Sequence, residues 1–576
     1  MPARGALAAL LTLLALACAP ATAGAAGLET VLQDDAQLLH RPEDQLRRSL
    51  QEMKALGVDR IRVTAGWSVL TRDPDAKARP AFDATNPAAY EQERWRNLDR
   101  LVVLAREYGF KTMIDIAFWA PHWASQDAPG QRGRTEVDAE AFAQFTAAVA
   151  RRYSGTFVIP RTSHHPSGDG PFGEGADARY LRRNFGTSSP DSGVTLLDAL
   201  GIPAIARGGE SAATLGDGAA ATLPLPKVDL FTLWNEPNHP SFMRPQWARW
   251  GKGYVPRSPH VYRAMVYRGH AALKAVRPDA AVLVGGTSFE GTSGRRGTGG
   301  VPPLRFLREL ACVDRRLQPI KRFGCSDFRP IPGDGWAHHP YTLRTKPNAR
   351  ARGARRDDVP IADLPRLAKL LDRLIAAGRL APGVRNLWVT EYGYETNPPV
   401  EGWIFSPYDQ ARFLTWAEFL ASRVPTNRSY AQFLLRDLPP GAFKVNTSKK
   451  RAFGQWQSGL LHDDGTPKVS VYSFRAGLFV QRRKNRRLLL WGRLRLGHGI
   501  TTIAIERRAP GSRKWRTIFT QAPGQGPTDR FTVSGTDAFQ RYADAPRRRA
   551  SGYRYRLRYL DGDHWQSGLQ VAAVGR

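Results

Sequence analysis

From residue 28 to about 478, short apolar runs alternate with amphipathic stretches, a rhythm that leaves few folds other than a parallel sheet wrapped by helices. The runs are Leu28–Gln33, Asp59–Ala65, Lys111–Ala117, Val228–Trp234, Ala281–Gly286, Gly335–His338, Asn386–Thr390 and Tyr430–Leu435. Most lead into polar or aromatic residues, as expected where barrel strands end at an active face. The stretches between them have the helical period. Leu46, Leu50 and Met53 share a face ahead of Gly57, and Leu364, Leu367, Leu371 and Leu374 form a second stripe behind Pro360. An α/β (β/α)8 barrel over 28–478 is the expectation.

Two segments interrupt the rhythm. Residues from about 155 to 226 are rich in Gly, Pro, Ser and Ala, an insertion between the third helix and fourth strand, on the face away from a barrel's active site. Gly291–Gly300 is a glycine-rich loop on the active face. Beyond 478 the texture becomes that of short strands and turns: Leu488–Trp491, Thr502–Glu506, Trp515–Thr520, Tyr553–Tyr559 and Leu569–Val574. A small antiparallel β-sandwich is expected over 479–576, a spacer sooner than a sugar-binding module. Trp491, Trp515 and Trp565 are the rings available for stacking, although packing is the commoner fate of Trp in a small sandwich.

The first 23 residues read as an export signal: Arg4, an uncharged apolar run from Leu7 to Ala17, and Ala21-Thr22-Ala23 as a small-residue cleavage site. Cleavage and release are favoured over lipoprotein anchoring through Cys18, because Ala15 stands where such signals carry a Leu-like residue. The run is too short to span a bilayer, and no later stretch reads as transmembrane. Export leaves Cys312 and Cys325, which are expected to pair as a disulfide. The net charge of +32, from 84 basic and 52 acidic residues, is distributed along the whole chain. No zinc-finger, helix-turn-helix or ribonucleoprotein motif accompanies it, so an Arg-rich solvated surface is favoured over specific nucleic-acid binding, with non-specific contact with anionic cell-surface polymers as the lesser alternative.

Two acidic residues directly follow buried-strand patterns: Glu236 in Phe231-Thr232-Leu233-Trp234-Asn235-Glu236-Pro237, and Glu391 in Leu387-Trp388-Val389-Thr390-Glu391. Acidic side chains at the C-terminal ends of barrel strands point into a common mouth. Facing carboxyl groups are what the double displacement of a glycosidic bond requires, one to protonate the leaving oxygen and one to attack. Asn235, beside the first, is a suitable donor to a sugar 2-hydroxyl. Other chemistry competes poorly. Asp463-Asp464-Gly465 reads as a turn, not a calcium loop, and His338-His339 and His164-His165 lack metal-ligand spacing, so no metal or organic cofactor is expected.

Trp234-Asn235-Glu236-Pro237 resembles the fourth-strand Asn-Glu-Pro signature of clan A glycoside hydrolases, and Thr390-Glu391 their seventh-strand nucleophile. The resemblance covers residues 28 to about 478 and is nearest to families 5 and 39. It implies acid/base work for Glu236 and nucleophilic attack for Glu391. Arg62 resembles the second-strand Arg that supports the nucleophile. His122, in Trp119-Ala120-Pro121-His122-Trp123, resembles the third-strand His. His339-Pro340-Tyr341 resembles the sixth-strand residues whose Tyr donates to the nucleophile. Clan A enzymes usually end the eighth strand with a Trp that floors the sugar subsite. Here Gln432 stands where that Trp is looked for, with Trp403 and Trp456 nearby in sequence. Trp119, Trp403 and Gln432 join the expected substrate contacts. The expectation is a secreted retaining glycosidase acting on a β-linked oligo- or polysaccharide. A transglycosidase with the same pair and an inactive glycan-binding barrel are its rivals.

Overall fold

The computed structural model describes residues 28–128, 131–160, 196, 222–292, 294, 296–398, 404–438, 456–496, 500–518, 531–534, 538–546 and 552–575. The expected leader with Cys18, most of the 155–226 insertion, Trp403 and part of the 291–300 loop lie outside the described residues.

Eight parallel strands form one sheet: β1 (Glu29–Gln33), β2 (Arg60–Gly66), β3 (Lys111–Ala117), β4 (Leu230–Leu233), β5 (Ala281–Ser288), β6 (Gly335–His339), β7 (Leu387–Val389) and β8 (Ser429–Phe433). They pair in sequence order from β1 to β7, with β8 on the free side of β1. The ring closes at Leu387. Its N–H donates to the Thr426 carbonyl at 2.9 Å, and its own carbonyl accepts from the Arg428 N–H at 2.8 Å. After the successive strands come the main helices α1 (Glu43–Ala55), α2 (Gln92–Glu107), α3 (Ala139–Arg152), α4 (Ser258–Val276), α5 (Pro303–Leu310), α6 (Leu364–Ala376), α7 (Pro407–Ser422) and α8 (Ser470–Arg475). The molecule is therefore a (β/α)8 barrel followed by small antiparallel sheets.

Strand alternation builds both layers. In β3, Ile114 and Ile116 pack outward under the helices, as do Phe231 and Leu233 of β4. The opposite parity faces inward, where Met113, Leu230, Leu283 and Ala337 form an apolar plug. Two residues further along the same strands the inward positions become Asp115, Thr232, Gly285 and His339. The interior thus turns from apolar to polar within one step toward the C-terminal face.

The helical stripes pack as their period predicts: Leu46, Leu50 and Met53 are buried on α1, and Leu364, Leu367, Leu371 and Leu374 on α6. α6 does not start directly at Pro360, because a 3₁₀ turn over Ile361–Asp363 intervenes. Gly57 ends the α1 turn at φ +64°, and a Cβ there would lie 2.7 Å from that of Arg495. Cys312 and Cys325 are joined as a disulfide with Cα atoms 5.5 Å apart, stapling the loop after α5.

Beyond the barrel run β9 (Ala476–Arg482), β10 (Arg487–Leu494), β11 (Ile500–Arg508), β12 (Trp515–Thr517), β13 (Phe531–Ser534), β14 (Ala538–Asp544), β15 (Arg554–Asp561) and β16 (His564–Ser567). β9, β10 and β14 make one antiparallel sheet. A second has the order β12-β11-β15-β16, with β13 also on β11. Leu478, Leu490, Ile505, Phe539 and Leu557 belong to the core they enclose. Leu569–Val574 is not the strand expected from its composition; it makes only isolated bridges at Val571 and Val574. Trp491 is unavailable to a sugar as well. It is buried with Phe479 and Leu489 against Phe419 of α7, where the Phe419 and Phe479 rings stack at 4.5 Å. Arg495, fully buried, pins this region to the barrel through Glu418 at 2.5 Å, Thr30 at 3.0 Å and the Phe474 carbonyl at 2.7 Å.

Candidate active site

Glu236 leaves β4 on a strained backbone. Trp234 and Glu236 both have positive φ, +66° and +40°, where β-carbon crowding disfavours ordinary residues. The strain is held in place by β5, since the Glu236 N–H donates to the Gly286 carbonyl at 2.8 Å. A Cβ on Gly286, itself at φ +53°, would come 3.1 Å from the Trp234 carbonyl. The glycine therefore lets the two backbones meet and sets where the Glu236 carboxyl points. Trp234 is fully buried against Phe142, and its indole N–H donates to the Phe242 carbonyl.

Glu391 follows β7 and is held from two sides. Arg62 donates to one carboxylate oxygen at 2.6 Å, and the Tyr341 hydroxyl donates to the other at 3.0 Å. Between the two acids stands His339, its Nδ1 at 3.0 Å from Glu236 Oε1 and 3.5 Å from Glu391 Oε2. One oxygen of each carboxyl group and the His339 nitrogen lie within 4.8 Å of one another. Such a group has the size of a metal site, but the buried Arg62 guanidinium already supplies the cation on Glu391.

The protonation pattern follows from the neighbours. Burial pushes both acids upward, as it disfavours charge. Glu236 rises well above the carboxylate range, its burial reinforced by the charge of Glu391 and only partly offset by Arg62. Glu391 has the opposing donors, Arg62 and Tyr341. One proton shared by the pair therefore resides on Glu236, leaving Glu391 ionised. His339 is pushed well below its usual value by burial, then by Arg62 and His338, and is neutral. Burial, then Glu391 and Glu236, raise Tyr341 well above the phenol range, so it stays a donor.

Arg62 is the hub of this arrangement. Besides Glu391 it donates to Asp115 at 2.8 Å, to Asn235 Oδ1 at 3.0 Å and to Gln33. Asp115, fully buried, also accepts from Thr232. Sequence reasoning passed over Gln33, Asp115 and Thr232, although an Asp inside the apolar run Thr112-Met113-Ile114-Asp115-Ile116 was a readable signal. With its oxygen committed to Arg62, Asn235 keeps an amide N–H pair as donor.

The remaining expected contacts divide. Gln432 does not face the mouth. It is fully buried, and its amide donates to the Leu434 and Ser458 carbonyls at 3.1 and 2.8 Å. The aromatic at the end of the eighth strand is its neighbour Phe433, partly exposed and 5.1 Å from Trp456. Trp456 in turn lies 5.7 Å from Tyr341, so Phe433, Trp456 and Tyr341 make a wall beside Glu391. Trp119 is buried beneath Arg132 at 4.4 Å, and its N–H donates to the Ser241 carbonyl, which braces the loop after Glu236. His122 sits in the turn after β3, both ring nitrogens buried without a hydrogen-bond partner among the described residues. No described contact joins it to either acid.

No protein-family model and no curated protein matches the sequence. Among solved structures, the chain is similar to a GH5_18 from Bifidobacterium longum subsp. infantis, with 15% identity, 78% of this chain and 77% of that one covered, and a TM-score of 0.39. A GH5_18 from Streptomyces cattleya in complex with GlcNAc has 14% identity over 77% and 78% of the two chains, with a TM-score of 0.39. The β-glycosidase BGL167 has 12% identity over 77% and 93%, with a TM-score of 0.37. Likeness this distant carries no weight for the chemistry, which stands on the residues themselves.

Proposed function

We propose that the chain is a retaining glycosidase acting on a β-linked glycan, with Glu391 as nucleophile and Glu236 as acid/base. The observation that carries this reading is the close pair of buried carboxyl groups, one with two donors that keep it charged and the other without them. Retaining enzymes hold their carboxyl groups about 5–5.5 Å apart, whereas inverting ones need about 6.5–9.5 Å to admit a water between acid and base. One oxygen of Glu236 and one of Glu391 lie within 4.8 Å of each other, which supports the closer arrangement.

In the first step a Glu391 oxygen bonds to the anomeric carbon. The bond to the leaving oxygen breaks as that oxygen takes the Glu236 proton. In the second, ionised Glu236 removes a proton from water, the water oxygen bonds to the anomeric carbon, and Glu391 departs as carboxylate. The Asn235 amide is available to the sugar 2-hydroxyl, and Phe433 and Trp456 form an apolar wall for the ring. Export accords with the leader pattern and with the Cys312–Cys325 disulfide, a bond that persists in oxidising compartments.

Hydrolysis of an aryl β-glycoside followed by proton NMR tests the reading. The β-anomer of the free sugar is expected first. Initial appearance of the α-anomer excludes the double displacement. A 2-deoxy-2-fluoro glycoside with a good leaving group is expected to label the peptide that contains Glu391, and a label elsewhere overturns the assignment.

Tyr341→Phe isolates one donor. A hydrogen bond to a charged group contributes about 1.5–3 kcal/mol, so kcat/KM is expected to fall roughly 10- to 150-fold. The bond holds Glu391 down. Its loss lets the Glu391 pKa rise, so the acid limb of the pH–rate profile moves to higher pH. The alkaline limb, where Glu236 loses its proton, is expected to move much less.

A further inference from the structure

The second C-terminal sheet carries a cationic face that the barrel chemistry does not use. Its strands alternate, so Tyr555, Leu557 and Tyr559 of β15 enter the core with Ile503 and Ile505 of β11. The other parity faces out. There Arg554 lies opposite Arg508, which lies opposite Trp515, and Arg556 lies opposite Glu506. Arg558 follows in the next row, beside Ser567, and Trp565 stands opposite Leu560 in the row beyond. Positions of one parity recur roughly every 7 Å along a strand, so Arg554, Arg556 and Arg558 form a regular file.

Three of the guanidiniums are held against rings. Arg556 lies 4.2 Å and Arg508 5.0 Å from the Trp515 ring, and Arg558 lies 5.1 Å from Trp565. A guanidinium stacked on an aromatic face loses little further freedom when it binds an oxyanion, and its planar fork matches carboxylate and sulfate. Among the described residues, four Arg share these rows with one carboxylate, Glu506, which is 2.6 Å from Arg556 and 3.9 Å from Arg558. The excess positive charge is thus fixed in place and remains partly exposed, 21% for Arg556 and 29% for Arg558.

We propose that this face of β11, β12, β15 and β16 binds an acidic polysaccharide, its Arg file gripping successive carboxylate or sulfate groups. The choice of a glycan rests on the glycosidase reading above, and the anionic class rests on the charge of the face. Single-stranded nucleic acid is disfavoured because its binders offer aromatic rings for bases to stack on, and here guanidiniums cover the rings.

Affinity electrophoresis of the full chain in gels containing polygalacturonate, dextran sulfate or neutral hydroxyethyl cellulose provides the test. Retardation by one or both acidic polymers is expected, with the stronger one naming the anion, and 0.5 M NaCl is expected to abolish it. Arg554→Ser/Arg556→Ser/Arg558→Ser is expected to weaken binding at least tenfold with the melting temperature retained. If that variant does not fold, Arg508→Glu/Arg554→Glu tests the same row. A control removes the same charge elsewhere: Arg483→Ser/Lys484→Ser/Arg487→Ser, in a hollow of about 590 Å³ beside Tyr542. Equal weakening by the control, unchanged binding by the face variants, no retardation in either acidic gel, or tighter binding of duplex DNA overturns the proposal. Binding that survives in a chain lacking glycosidase activity separates this face from the barrel assignment, and Glu391→Gln is expected to leave retardation unchanged.

Discussion

Glu391→Ala is expected to lower turnover of an activated aryl β-glycoside by on the order of 10⁴-fold or more, since among the described residues no other group is placed to form the covalent bond. That corresponds to about 5.5 kcal/mol of barrier. Truncation also opens a small space next to Arg62 and the Tyr341 hydroxyl, both of which remain as donors where the carboxylate stood. Azide fits such a space and carries the missing charge. Rescue is therefore expected, with the α-glycosyl azide as product because attack comes from the face Glu391 occupied. The companion Glu236→Ala keeps the nucleophile, so its glycosyl-enzyme still forms when the leaving group needs no proton. Azide then attacks from the opposite face and gives the β-glycosyl azide. The same anomer from both variants, or wild-type turnover in either, removes the assigned roles.

The sequence was most legible where one face of an element decides everything. All eight barrel strands lie within a few residues of their apolar runs, because a buried parallel strand has no polar face to blur the signal. Glu236 and Glu391 were legible for the converse reason: a charge immediately after such a run has only the barrel mouth to enter. The interior network was harder. Arg62 stood out by resemblance, but its partners Gln33 and Asp115, and Thr232 behind Asp115, come from three other strands, and their pairing depends on register. The eighth strand shows the cost of one residue. Gln432 and Phe433 are neighbours of opposite parity, so a shift of one exchanges a buried scaffold amide for the ring beside Trp456.

The C-terminal sheets divide the three Trp, one packed as expected of a small sandwich and two on an outer face. Trp491 was a candidate for stacking on sugars, yet β10 turns it toward α7, where Phe419 and Phe479 enclose it. Trp515 lies opposite Arg508 and Trp565 opposite Leu560, and on this outer face the flat heads of Arg556 and Arg558 cover the two rings without a core around them. Composition counted these tryptophans alike, whereas strand parity separates them.

Arg62→Met is the sharpest test of whether the buried network serves catalysis or only the fold. Removing one partner of a buried pair typically costs about 3–5 kcal/mol, because the charge left behind is uncompensated. Here two carboxylates, Asp115 and Glu391, lose their guanidinium together. Arg62 holds both acids down against burial. Without it their folded-state pKa values rise further above the unfolded value of about 3.9–4.3. A raised folded pKa favours the folded state below the unfolded pKa, and that advantage is lost as pH climbs through the folded one. The stability deficit of Arg62→Met is therefore expected to be smallest near pH 4 and to widen toward neutrality, read from denaturant midpoints across pH. Adding Asp115→Asn removes one stranded charge and is expected to recover part of the stability at pH 7. Activity is expected to stay at least about 10³-fold down in both variants, since Glu391 then holds its proton where wild type has lost it. Recovery of activity along with stability in the double variant shows that Arg62 serves only the fold.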